Sequence, residues 1–254
     1  MLKLRGIITG SYVVVFLATI PSFLLLKIYA SVVGSNPLVS FFEDYIIKSY
    51  GYVWFTLVYF SFLFLYIQTD YRISNNKVLE FVRNYSLNTL VFITTQVWFF
   101  GSSIFERINI ATGGSCADDS IRSEYYCKSS GSTWTNGFDA SGHFYFILSV
   151  SLIVWRELLN HLGIQSKIPM ANGDELEFDQ APGNNSEIAS ASWNNNPYLT
   201  IYKAIVIGVA LTFLSIWYFM YLITCIFFHT IPEKIVGTAV GLFIPLLIAY
   251  IDSY

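Results

Sequence analysis

Charge is scarce in this 254-residue sequence: only 12% of residues are Asp, Glu, Lys or Arg, about half the share of a typical soluble domain. That shortage excludes an ordinary cytosolic globule. Basic clusters are missing as well, with fourteen Lys and Arg set against seventeen Asp and Glu for a formal net charge of −3. Nothing here can neutralise a phosphate backbone, so no nucleic-acid partner is expected. Histidine and cysteine number three each, in no CxxC or other ligand spacing, so no metal centre is expected. No cleavable leader is expected: the apolar run 7–29 is too long for a signal-peptide core and has no small-residue cleavage pattern, so it reads as a retained span.

Apolar runs, by contrast, are abundant. Hydrophobic residues make up 54% of the chain and aromatics 18%. Runs near the length needed to cross about 30 Å of hydrocarbon recur at 7–29, 52–68, 87–105, 143–162, 199–228 and 235–252. The chain is therefore expected to be an all-α integral membrane protein, a polytopic bundle of about six transmembrane helices forming one domain over 1–254.

The connections differ in character. Residues 163–197 are rich in Gly, Asn and Ser and read as a flexible cytosolic loop, whereas 106–142 carries paired glycines, Cys116, Cys127 and Trp134 and reads as a compact lumenal loop. With the N-terminus cytosolic, eight basic residues fall on that side and six on the other, a bias in the positive-inside direction. Cys116 and Cys127 both fall on the lumenal side, where an oxidising compartment permits a disulfide. Cys225, inside a span, reads as an unpaired packing residue. The sequons at Asn84 and Asn184 fall on the cytosolic side, out of reach of glycosylation.

The histidines carry the chemistry. His143 opens the fourth span and His229 closes the fifth, so the two lie at one membrane face. His161 is ~27 Å further along the helix of His143 and cannot join them. A histidine pair suits phosphoryl transfer, one imidazole attacking phosphorus while the other protonates the departing oxygen. Ser141 and Gly142 precede a helix start able to hold phosphate on free N–H groups, and Lys234 can neutralise its charge. Arg107, Arg122 and Lys128 are further cations in the neighbouring loop. The same residues also have structural readings: histidines as amphipathic interface residues, Ser141 as a helix cap, and Thr230 to Glu233 as a capping box. Asp139 reads equally as a carboxylate that orients His143 or as a solvated loop residue.

The motifs Gly137-Phe138-Asp139-Ala140-Ser141-Gly142-His143 and Phe228-His229-Thr230-Ile231-Pro232-Glu233-Lys234-Ile235-Val236-Gly237 together resemble the fat storage-inducing transmembrane (FIT) family. Thr112 to Cys116, Cys127 and Trp155-Arg156-Glu157-Leu158 look like the family's smaller yeast member. The resemblance implies a distant link to lipid phosphate phosphatases and six spans in the endoplasmic reticulum membrane, with both termini cytosolic and a lumenal site. It further implies hydrolysis of fatty acyl-CoA to acyl 4′-phosphopantetheine and adenosine 3′,5′-bisphosphate, in support of lipid droplet formation and phospholipid homeostasis. No cofactor is implied. His143 and His229 would be catalytic, Ser141, Gly142 and Lys234 phosphate-binding, and Asp139 and Glu233 orienting carboxylates. In the phosphatase scheme His229 is the nucleophile and His143 the acid. The Arg-Pro and Ser-Arg motifs of those phosphatases occur nowhere in the sequence, and Glu233 stands where their aspartate follows the histidine. Two rival functions are a non-catalytic protein binding di- or triacylglycerol at droplet budding sites, and a phosphatase acting on lipid phosphates.

Overall fold

A computed structural model describes residues 2–69, 75–97, 102–140, 142–162 and 197–252. The chain runs through α1 (Leu2–Leu26), a 3-10 turn (Lys27–Tyr29), α2 (Ala30–Gly34), and α3 (Pro37–Phe41), which continues into a π-helical turn (Phe42–Ser49). Then come α4 (Gly51–Thr69), α5 (Asn75–Phe92) with a π-helical end (Ile93–Val97), α6 (Ile104–Ala111), β1 (Ser115–Cys116), α7 (Glu124–Ser129) and β2 (Trp134–Thr135). The last three helices are α8 (Gly142–His161), α9 (Pro197–Phe227) and α10 (Ile231–Ile251).

In hydrocarbon each backbone amide must bond within its own segment, so the apolar runs fold as helices. Five helices are long and apolar enough to cross a membrane among the described residues: Gly6–Leu26, Gly51–Gln68, Gly142–His161, Pro197–Phe227 and Ile231–Ile251. The protein is an all-α multi-pass membrane protein. The run expected to span at 87–105 takes a different form. Its first part completes a helix that starts at Asn75 among Lys77, Glu80 and Arg83, and α6 begins separately at Ile104, with 98–101 outside the described residues. Charges in its first half deny α5 an uninterrupted apolar stretch, yet Glu80 and Arg83 meet Arg156 and Asp252 while Gln96 reaches Gly142, so α5 with its π-helical end runs the length of α8.

Helix α8 is the axis of the bundle. Of its span 78% is buried in protein, against 17–33% in the other four, so α8 is wrapped by helices while the others turn a face to lipid. Phe144 meets Phe16 of α1 and Tyr221 of α9 edge-on, and Phe146 meets Trp217. Helix α10 lies closest, because Gly241 has no side chain: a Cβ there would stand 3.0 Å from the Phe144 and Tyr145 carbonyl oxygens. Small residues allow such backbone approach in membrane bundles. Cys225 is buried and unpaired in a disulfide.

The two ends of α8 are built differently. At the far end, Arg156 is ion-paired with Glu80, Glu157 and Asp252, while Asp252 also meets Arg83 at 2.7 Å and Glu80 meets Lys77 at 3.0 Å. His161 packs edge-on against Tyr66. Asn84 is fully buried and accepts from Arg83, so its sequon is sealed by packing; Asn184 lies outside the described residues. At the near end, residues 102–140 form a small cap. Cys116 and Cys127 are joined in a disulfide, β1 pairs antiparallel with β2, and Glu106 accepts from the Ser123 hydroxyl and the Glu124 amide at the start of α7.

Candidate active site

Two chain reversals bring the histidines together. His143 is the second residue of α8, and His229 sits in the tight link between α9 and α10. Their ring centroids are 6.1 Å apart. His229 has φ +57°, a left-handed conformation rare in a non-glycine residue. Such strain persists only where its surroundings over-determine it. Glu233 provides much of that constraint: one carboxylate oxygen accepts the Thr230 N–H at 2.6 Å in a capping box, and the other accepts the Asp139 N–H at 3.1 Å. A single carboxylate thus ties the His229 link to the segment leading into His143.

The same carboxylates surround the imidazole. His229 Nδ1 lies 3.7 Å from Asp139 Oδ2 and 3.9 Å from Glu233 Oε2, which leaves Nε2 as the nitrogen on the opposite edge of the ring. Burial lowers the His229 pKa below its ordinary value, with Asp139 and Glu233 pulling the other way. Burial likewise raises the Asp139 carboxyl, opposed by His229. His229 is therefore a neutral base at neutral pH, backed by carboxylates, which is the state a nitrogen nucleophile needs. His143 faces a third carboxylate: its Nε2 is buried, makes no hydrogen bond and lies 3.7 Å from Glu43 Oε1.

Both rings border a cavity of about 560 Å³, walled by the Phe42–Ser49 turn, the end of α5, the cap and the start of α8. A second cavity of about 480 Å³ adjoins it, sharing Asp139, His229, Glu124 and Lys128 as lining. Gly142 lines the first, but its free flank is already filled: a Cβ would meet Gln96 Oε1 at 2.7 Å. The Gln96 amide nitrogen is buried without a hydrogen-bond partner. Ser141 lies outside the described residues.

Lys234 bears on His229 only through its charge. Its ammonium donates to the Cys225 carbonyl at 2.7 Å and sits 3.4 Å over the Phe23 ring, and it lines neither cavity. The geometry is set by α10, whose first turn aims residue 234 back along α9. Of the loop cations, Lys128 lines both cavities, whereas Arg107 donates to the Ser102 carbonyl. Sequence reasoning missed Glu43, Lys48 and Gln96. The signal for the first two was present: a charged connection following the first span, on the same side as both histidines.

The sequence model of the family described as fat storage-inducing transmembrane protein matches residues 39–250. The chain belongs to that family. Relatives include the acyl-coenzyme A diphosphatase YFT2 of Saccharomyces cerevisiae, 32% identical over 154 residues, covering 60% of this chain and 47% of YFT2. The acyl-coenzyme A diphosphatase fit1 of Schizosaccharomyces pombe is 25% identical over 243 residues, 86% of this chain and 80% of fit1. Human acyl-coenzyme A diphosphatase FITM2 is 28% identical over 181 residues, 68% and 57% of the two chains. The match thus spans about half the length of YFT2 and FITM2. No solved structure matches. The family match takes in every residue of the histidine site, from Glu43 to Glu233.

Proposed function

We propose that this protein is a membrane-embedded hydrolase of the diphosphate in fatty acyl-CoA, releasing acyl 4′-phosphopantetheine and adenosine 3′,5′-bisphosphate. The observation that carries this reading is the pair of imidazoles 6.1 Å apart at the wall of a cavity, one of them backed by two carboxylates. Relatives named acyl-coenzyme A diphosphatases support the substrate.

The chemistry follows from the two rings. His229 Nε2 attacks one phosphorus of the diphosphate, and the bond from that phosphorus to the bridging oxygen breaks. The electron pair leaves with that oxygen, which takes a proton from His143. The incoming diphosphate itself favours the protonated form of His143, by placing negative charge beside the ring. Water then attacks the phosphohistidine, gives a proton to His143, and the P–N bond breaks to restore His229. Attack on either phosphorus ends in the same two products. Asp139 and Glu233 hold His229 through Nδ1 in this scheme, and Glu233 also sets its backbone. Phosphate is held by N–H groups at the start of α8 around Gly142 and by Lys128.

The disulfide stands at the histidine end of the bundle, which suits an oxidising compartment. Together with the family match, this supports a site at the lumenal face of the endoplasmic reticulum membrane, with both termini cytosolic. There the reaction would serve phospholipid balance and lipid droplet formation, with di- and triacylglycerol as neighbouring lipids. The test is mass spectrometry of products from purified protein given oleoyl-CoA. Acyl phosphopantetheine is the expected product. Orthophosphate released from phosphatidate in its place would favour a lipid phosphate phosphatase, and triacylglycerol binding without turnover a lipid-binding scaffold.

A further inference from the structure

The Phe42–Ser49 turn is a wall of the active site whose charges have no role in the scheme above. A single oxygen, Glu43 Oε1, faces two groups at once: Lys48 Nζ at 2.5 Å and His143 Nε2 at 3.7 Å. Lys48 lines the 560 Å³ cavity, its side chain is half exposed, and its other carboxylate neighbour, Asp44, is 4.0 Å away. The His143 nitrogen is buried and without a hydrogen bond. The turn itself is π-helical over eight residues, a winding uncommon in helices and frequent at functional sites.

We propose that Lys48 is a binding residue for the substrate diphosphate and Glu43 a positioning residue for His143, exchanging partners when substrate enters. This rests on the hydrolase reading. A diphosphate carries more negative charge than one carboxylate and offers more acceptor oxygens, so it draws the half-exposed ammonium away from Glu43. Glu43 Oε1 is then left to His143 Nε2 alone. A carboxylate at that nitrogen fixes the ring and stabilises its protonated form. It leaves Nδ1 as the only nitrogen available to the departing oxygen. The free protein thus keeps Glu43 occupied by Lys48, and the acid is completed by the anion it will act on.

The test uses the full-length protein in detergent, with oleoyl-CoA for turnover and inorganic pyrophosphate for binding. Lys48→Met is expected to weaken pyrophosphate binding and raise KM about tenfold, with a much smaller change in kcat. Glu43→Gln is expected to lower kcat about tenfold or more while KM and pyrophosphate binding stay within about twofold. Glu43→Asp should recover part of the loss. With only three histidines in the chain, ring 15N spectra can be assigned through His143→Ala. Pyrophosphate should move the His143 signals further in wild type than in Glu43→Gln. Unchanged pyrophosphate binding in Lys48→Met, or identical His143 responses in wild type and Glu43→Gln, would overturn the proposal. Absence of acyl-CoA turnover in wild type would sink the hydrolase reading alone, since the binding and 15N arms decide the partner exchange without it.

Discussion

The two ends of α8 carry similar chemistry and put it to opposite uses. At the far end three cations, Lys77, Arg83 and Arg156, meet three anions, Glu80, Glu157 and Asp252, from α5, α8 and the end of α10. Each charge is answered by another, and the cluster works as a clamp. At the near end the carboxylates of Asp139, Glu233 and Glu43 stand 3.7 to 3.9 Å from imidazole nitrogens, beyond hydrogen-bond range, beside open cavities. Opposite charges closed on one another hold a fold together, whereas carboxylates and imidazoles held apart beside a cavity leave room for a ligand.

The largest expected effect tests the open end. His229→Ala and His143→Ala should each lower acyl-CoA turnover about a thousandfold, with the thermal midpoint in detergent nearly unchanged. A midpoint falling as far as the activity would make the histidines structural and erase the contrast. Next is the clamp. Arg156→Met leaves fully buried Glu157 without its partner, which should cost about 3–5 kcal/mol of stability. Turnover per folded molecule should persist, and its loss would mean that the ends are coupled.

A smaller effect belongs to Glu233, which does both jobs. Glu233→Ala removes the cap on Thr230 and the tie to Asp139. It should lower the unfolding free energy by about 1–2 kcal/mol and turnover by about tenfold or more. Glu233→Gln, which still caps, should restore the stability more fully than the activity.

The smallest effect is a shift in pH dependence. Because His229 titrates below the ordinary 6.5, the acid limb of kcat/KM should lie below pH 6.5. Asp139 pulls His229 upward, so Asp139→Asn should move that limb to still lower pH, and movement to higher pH would contradict the assignment. Stability follows the same sign for His229. The unfolded chain takes up its proton first, so this contribution is present above pH 6.5 and is lost as pH falls through that value toward the native pKa.

Much of the site was legible in the sequence. The position of His143 at the start of one helix and His229 at the end of the next follows from counting apolar runs, and the capping box at Thr230 is a four-residue pattern. Helix α8 as the buried axis was less visible, since its mean hydropathy of 1.3, the lowest of the five spans, is close to the 1.4 of α4, which turns a face to lipid. The span expected at 87–105 misled because apolar length was judged without the charged turns that begin the same helix. Lys234 misled differently. Its place in the chain beside His229 is close, but helical rotation aims its side chain along α9 toward Cys225.

What the sequence determined by itself was local: which stretches must be helices in lipid, where they start and stop, and which face each loop reaches. Those properties depend on hydrocarbon thickness, backbone hydrogen bonding and caps, all short-range along the chain. The tertiary structure alone decided that Glu233 reaches the Asp139 amide across 94 residues and that Glu43, a hundred positions before His143, faces its ring. It also decided that Lys48 and Lys128 line the cavity from which Lys234 is absent. Such meetings depend on how helices cross and rotate, and that is set by side-chain packing around α8, where Gly241 lets α10 approach and the aromatic contacts of Phe144 and Phe146 seat α1 and α9.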